Sequence, residues 1–192
     1  MCTNRTERRL SRALAIFALQ AAACQACESS GGRPTPAVGV LPGTLTVTSP
    51  AFSANGHIPV DLTCDGADKS PRLAWSAPPS NTKSFAVVVD DPDAPGGTFT
   101  HWIAYNIPKD ALALPEDVDL ASIGAIAANN DFERPGYSGP CPPRNEIHRY
   151  FFRVYALDAV LAVQKAQSRS AVFSAMHGHV VGEGALVGTF FH

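Results

Sequence analysis

The sequence predicts a mainly β domain: a β-sandwich or large central sheet with one or two short helices at its periphery. Three observations lead there. Sixteen Pro and fifteen Gly are spread along 192 residues, which calls for many turns between short extended segments. Ser84 to Asp90 reads SFAVVVD, a continuous β-branched run of the kind found in a strand covered on both faces. His101 to Ile107 (HWIAYNI) and Arg149 to Ala156 (RYFFRVYA) carry the aromatic and branched residues that pack well on a pleated surface. At 45% hydrophobic, the chain can build one domain with a real core but not two generous ones.

The elements are expected in the following order. Residues 1–23 read as a signal peptide. Arg5, Arg8, Arg9 and Arg12 form a basic region, Ala13 to Leu19 an apolar one, and Ala21-Ala22-Ala23 a stretch of small residues suited to cleavage. The apolar part is too short to span a bilayer comfortably. The expected location is therefore outside the cytoplasm, periplasmic or as a membrane-anchored lipoprotein. Cys24 directly follows the small residues and is the lipidation candidate, although Leu19 lies two places early for a lipoprotein box. Cys27 fits less well, with Gln25 in the box. Removing residues 1–23 takes away four Arg and one Glu and moves the formal charge from −2 to −5. Residues 24–40 form a flexible linker rich in Gly, Ser and Pro, and residues 41–192 form the domain. Within it, Thr44 to Ser49 (TLTVTS) is strand-like, Ser170 to His179 is a candidate short helix, and Ala185 to Phe191 is a closing strand. No internal repeat is visible.

A mildly acidic domain without a basic stripe is a poor match for nucleic acid, and it offers no basic surface to anionic lipid. Contact with a membrane is expected only through the N-terminal anchor.

Three segments concentrate unusual residues. Asp90-Asp91-Pro92-Asp93-Ala94-Pro95 follows the buried strand; on spacing alone it is a solvated turn, stiffened by its prolines. His101-Trp102 opens the next strand and gains interest only if a carboxylate such as Asp91 faces the ring and raises its pKa. Gly136-Tyr137-Ser138-Gly139-Pro140-Cys141-Pro142-Pro143 is a stiff loop whose N–H groups could meet an anion. It leads to His148-Arg149-Tyr150, where His148 and Tyr150 alternate onto one strand face.

Together these segments resemble the phosphatidylethanolamine-binding protein family, in its bacterial YbhB/YbcL-like (Raf-kinase-inhibitor-like) branch. The resemblance runs from about Leu45 to Phe191. It is carried by Thr63-Cys64-Asp65-Gly66 with Ser70-Pro71 and Leu73-Ala74-Trp75, by Asp91-Pro92-Asp93-Ala94-Pro95, and by His101-Trp102 leading to Tyr105-Asn106-Ile107-Pro108. It continues through the Gly-Pro-Cys-Pro-Pro loop, His148-Arg149-Tyr150, Tyr155-Ala156-Leu157-Asp158 and Gly188-Thr189-Phe190. Each motif is weak alone; their order and spacing are specific.

The resemblance implies a non-enzymatic pocket for phosphate-like anions or phosphorylated head groups, with no cofactor. It also implies a regulatory or inhibitory role toward another protein. Carried over residue by residue, the ligand-binding candidates are Asp91, His101, Pro143, His148 and Tyr150, with the two histidines donating to the anion. The loop departs from many relatives at Cys141. Cys64 and Cys141 are the cysteines of the domain, both in matching motif loops, and either form a disulfide or remain two buried thiols.

Two other readings compete. Gly136-Tyr137-Ser138-Gly139 superficially looks like a nucleophile elbow and would make Ser138 a hydrolase nucleophile, but Pro140 stands where the second Gly belongs. Asp91, His101, His148 and Cys141 are ligand types that suit zinc, without the dense spacing of a zinc motif.

Overall fold

The computed structural model describes residues 44–192, so the expected signal peptide (1–23), the expected linker (24–40) and Cys24 lie outside the described residues. The chain forms β1 (Val47–Thr48), β2 (Gly56–His57), β3 (Leu73–Trp75), β4 (Ser84–Asp91), β5 (Phe99–Pro108), β6 (Ala113–Leu114), β7 (Ile126–Ala127), β8 (Ile147–Leu157), α1 (Arg169–Met176) and β9 (Val180–Phe191). A six-stranded sheet has the order β2-β9-β8-β4-β5-β7, and a three-stranded sheet the order β1-β3-β6. The long strands β9, β8, β4 and β5 each run antiparallel to their neighbours, while β2 joins β9 in parallel. The expected mainly β architecture, with a large sheet and a short peripheral helix, is the observed one.

The SFAVVVD run becomes β4 at the middle of the large sheet, and all eight of its residues are buried. One face of the sheet packs Phe85, Val87, Val89, Trp102, Phe152 and Val154 against Leu73 and Trp75 of the small sheet, with Leu45, Phe52 and Ile58 alongside. The opposite face packs Ala86, Val88, Ile103 and Tyr105 against Leu161 and against Val172 and Met176 of α1. Both faces are covered, which is why the strand carries branched residues without alternation. Fully burying a side chain such as Phe85 or Phe152 contributes about 1.5–3 kcal/mol.

Strands β5 and β8 extend one or two residues beyond the expected segments at each end, and three other differences have a visible cause. The Thr44 to Ser49 strand shrinks to Val47–Thr48, because β3 offers it a register of only Trp75 and Ala74. Strand β9 begins at Val180 rather than Ala185, because it pairs along the whole of β8 from Ile147↔Phe191 to Leu157↔Val180. Helix α1 starts where the Ser168 hydroxyl accepts from the Ala171 N–H at 3.3 Å. It stops at Met176, two residues before Gly178 takes a left-handed φ of 81° that no helix continues through.

Pairing between β4 and β5 has a break that positions a functional side chain. Val89 faces Trp102, but the next residue, Asp90, faces Thr100, so His101 is an extra residue opposite β4. In regular alternation His101 would share the face of Ile103 and Tyr105. The bulge turns it to the side of Tyr150, where the two rings meet edge to face with centroids 5.2 Å apart.

Candidate functional site

Antiparallel pairing brings the end of β4 and the starts of β5 and β8 to one end of the large sheet, so Asp91, His101 and His148 converge although each sits on a different strand. Each of the three is 3% exposed. They line a cavity of about 340 Å³ with Ala94, Pro95, Phe99, Phe132, Cys141, Pro142 and Pro143. That volume lies near the lower end of small-ligand sites, about 300–1,000 Å³. An apolar hollow of the same volume near Leu120, Ala125 and Gly136 brings Asp119 and Lys165 together but no cluster of converging polar groups. The chemistry therefore selects the histidine cavity.

Asp91 holds the centre. One carboxylate oxygen accepts from the Asp93 N–H at 2.9 Å, and the other accepts from His148 Nδ1 at 2.7 Å. His148 Nε2 meets the Glu146 carboxylate at 3.2 Å. Carboxylate oxygens only accept, so with both ionised each ring nitrogen must carry a proton and His148 is an imidazolium. Burial lowers its pKa, but the hydrogen bonds it donates to Asp91 and Glu146 outweigh burial and leave the value raised. Beside them, Arg149 clamps Asp93 with Nε at 2.9 Å and a terminal nitrogen at 2.6 Å, and its backbone N–H adds a third bond. Those bonds pull the Asp93 carboxyl down to about 2.

His101 is in the opposite state. Its Nδ1 lies 2.8 Å from the Ser138 carbonyl and 3.0 Å from that of Gly139, so Nδ1 carries the proton and donates. Burial pushes its pKa below the usual histidine value, which leaves a neutral ring with an unprotonated Nε2. The cavity thus pairs a charged donor histidine with a neutral acceptor histidine.

Tyr150 stands behind His101 and does not line the cavity. Its hydroxyl is buried without a partner in hydrogen-bonding geometry, although the Cys141 backbone and the Asp91 carboxylate lie close enough to influence it. Burial first, and then Asp91, push the phenol far up, so it remains protonated.

The loop that closes the cavity is pinned at several points. The Tyr137 hydroxyl donates to the Leu62 carbonyl at 2.8 Å, and the Cys64 N–H to the Pro140 carbonyl at 3.1 Å. The Gly139 N–H donates to Asp68 Oδ1 at 2.5 Å. A Cβ on Gly139 would strike the Leu62 carbonyl and lie 2.7 Å from Thr63 Cα, so this position requires glycine. Cys64 and Cys141 form a disulfide with Cα atoms 5.5 Å apart, and His192 Nδ1 donates to the Pro142 carbonyl at 2.9 Å.

Of the residues expected at the site, Asp91, His101, Pro143 and His148 share the cavity, and Tyr150 supports it from beneath. The expectation that both histidines donate to an anion needs revision: His101 presents an acceptor, and His148 is already engaged at both nitrogens. The Ser138 hydrolase reading finds no support in the geometry. The Ser138 side chain is buried, and its hydroxyl oxygen accepts from Asn130 Nδ2 and Arg134 Nε, each at 2.9 Å, with no hydrogen bond to a histidine. A nucleophile needs an adjacent base. Of the zinc candidates, Cys141 is spent in the disulfide and offers no thiolate. Among the described residues, the potential ligand atoms that cluster are those of Cys64, Cys141 and His192, and the two sulfurs are bonded to each other.

Phe132, Phe99 and Glu146 were not anticipated. The Phe132 ring stacks edge to face on both Phe99 (4.8 Å) and His101 (5.4 Å) and stays 43% exposed at the rim. Glu146 carried a signal, a carboxylate two positions before a strand histidine, but its contact depends on a side-chain rotamer.

A two-sheet domain whose large sheet ends in a small, mostly apolar cavity with a few convergent polar groups is a binding scaffold, and comparison with known proteins gives it a family. The model of the phosphatidylethanolamine-binding protein family matches residues 48–191. A UPF0098 protein of Methanothermobacter thermautotrophicus is 45% identical over 149 residues, covering 76% of this chain and 98% of the relative. One from Pyrococcus horikoshii is 46% identical over 153 residues, covering 77% and 76%. Among solved structures, YbcL of Escherichia coli, described as a member of the mammalian PEBP family, superposes with a TM-score of 0.72 at 31% identity, covering 77% of this chain and 98% of that one. A phosphatidylethanolamine-binding protein homologue of Chlamydia trachomatis superposes with a TM-score of 0.72 at 35% identity, covering 78% and 99%. The chain belongs to the phosphatidylethanolamine-binding protein family.

Proposed function

We propose that the cavity binds a small phosphate-like anion, or the phosphorylated head group of a larger molecule, and that the protein acts by this binding rather than by catalysis. The observation that carries the reading is the buried His148 imidazolium, held charged by Asp91 at the base of a ligand-sized cavity. An anionic oxygen would accept from His148 Nε2, and a P–OH group would donate to the free Nε2 of His101. A protonated phosphate or phosphomonoester satisfies both at once, which a fully ionised oxyanion does not. Phe99, Phe132, Pro95 and Pro143 offer an apolar wall to the carbon atoms next to a head-group phosphate.

Titration with inorganic phosphate, followed by NMR of the histidine side chains, tests the proposal. Saturable shifts of the His101 and His148 signals are expected. Shifts confined to His57, His177, His179 or His192 would overturn it.

We also propose that the domain works outside the cytoplasm, from the basic–apolar–small order of residues 1–23. The Cys64–Cys141 bridge supports this, since disulfides persist in oxidising compartments. Mass spectrometry of protein from the cell envelope should find residues 1–23 removed and would show any lipid on Cys24; recovery of the intact N-terminus would refute the export reading. A regulatory or inhibitory action on a partner protein fits the same scaffold.

A further inference from the structure

We infer that Glu146 is a built-in competitor for the anion site: its carboxylate occupies the donor on His148 that a bound phosphate would take. The inference rests on the phosphate reading of the cavity and adds a residue that sets its affinity. His148 has two donors. Nδ1 is committed to Asp91 at 2.7 Å, in a contact where both side chains are 4% exposed. Nε2 is the remaining donor, and the Glu146 oxygen 3.2 Å away takes the place of a ligand oxygen. The two carboxylates differ in what holds them. Asp91 is buried and anchored a second time by the Asp93 N–H. The Glu146 side chain is 53% exposed, and no other hydrogen bond fixes its carboxylate among the described residues. Rotation of Glu146 into water frees Nε2 at little cost, whereas losing Asp91 would strand a buried charge.

The surrounding charges point the same way. Asp91 faces His148 from the end of β4 and Glu146 from the start of β8, while the ring of His101 on β5 is neutral. Asp93, in the turn after β4, is neutralised by Arg149. One imidazolium therefore faces two carboxylates. An incoming anion must displace Glu146 and then bind beside it, so the wild-type cavity holds phosphate less tightly than its donors allow.

Calorimetric titration with inorganic phosphate at pH 6.5 tests this on the wild type, Glu146→Ala and Glu146→Gln, with Glu116→Ala as a control for net charge, since Glu116 is exposed and outside the cavity lining. Glu146→Ala should bind phosphate roughly two- to five-fold more tightly, the range of a half-exposed ion pair. Glu146→Gln should fall between it and the wild type, and Glu116→Ala should match the wild type. In the same Glu146→Ala protein, NMR should show His148 titrating at lower pH. Phosphate binding of equal or lower affinity in both Glu146 variants would overturn the competitor while leaving the phosphate site intact. Equal tightening by Glu116→Ala would also overturn it, because the effect would then be long-range charge. No phosphate binding by any of the four proteins would overturn the site and the competitor together.

Discussion

His148 Nδ1 and Asp91 Oδ2 lie 2.7 Å apart although 57 positions separate them in the chain, and the two side chains form a buried ion pair between the ends of β8 and β4. Removing either partner strips the other of its buried counter-charge, and breaking a buried pair in this way typically costs about 3–5 kcal/mol. Asp91→Ala and His148→Ala should each lower unfolding stability by roughly that amount in urea. The double variant should lose much less than the sum, because no isolated charge remains. Additive losses would show that the pair is not coupled.

The pair also sets a pH dependence with a definite sign. The folded-state pKa of His148 is raised, so its contribution is fully present below the unfolded value of about 6.5 and is lost as pH rises through the higher folded value. Asp93 runs the other way. Its carboxyl is held at about 2 by Arg149, so its contribution is present above the unfolded value near 3.9 and lost as pH falls toward 2. The stability gap between wild type and His148→Ala, measured by urea unfolding from pH 5 to 9, should narrow toward the alkaline end. A gap that widens there would reverse the assigned charge state of His148.

The disulfide ties the cavity loop to the segment before β3. It closes a separation of 77 residues, and on the chain-entropy model such a bridge stabilises by roughly 4 kcal/mol. Cys64→Ser with Cys141→Ser should therefore lower the urea midpoint clearly. It should also loosen the Ser138 and Gly139 carbonyls that orient His101, which NMR would report as a changed His101 titration. An unchanged midpoint and an unchanged His101 would show that the other loop anchors suffice.

The sequence told most where one segment carried its own signal. β4 was legible because a strand covered on both faces has no need of polar alternation, and the candidate residues followed from motifs at strand ends whose order matched a known family. What it could not show lies in pairing and rotamers. The bulge that turns His101 toward Tyr150 exists only in the register of β5 against β4. The neutral state of His101 depends on two carbonyls of a loop 37 and 38 residues away. The contact of Glu146 with His148 reflects a side-chain choice at the loop's end. Thus the convergence of Asp91, His101, Pro143 and His148 on one cavity was readable, while its aromatic rim, the place of Tyr150 behind it and the protonation states were not.

In the proposed site, charged His148 is the donor for a bound anion. The most direct measurement is calorimetric titration of inorganic phosphate into wild type and His148→Gln at pH 6.5, with circular dichroism confirming that the variant is folded. Losing a charge-assisted hydrogen bond costs roughly 1.5–3 kcal/mol, so the variant should bind about ten- to a hundred-fold more weakly. Unchanged phosphate affinity in a folded His148→Gln protein would contradict the account.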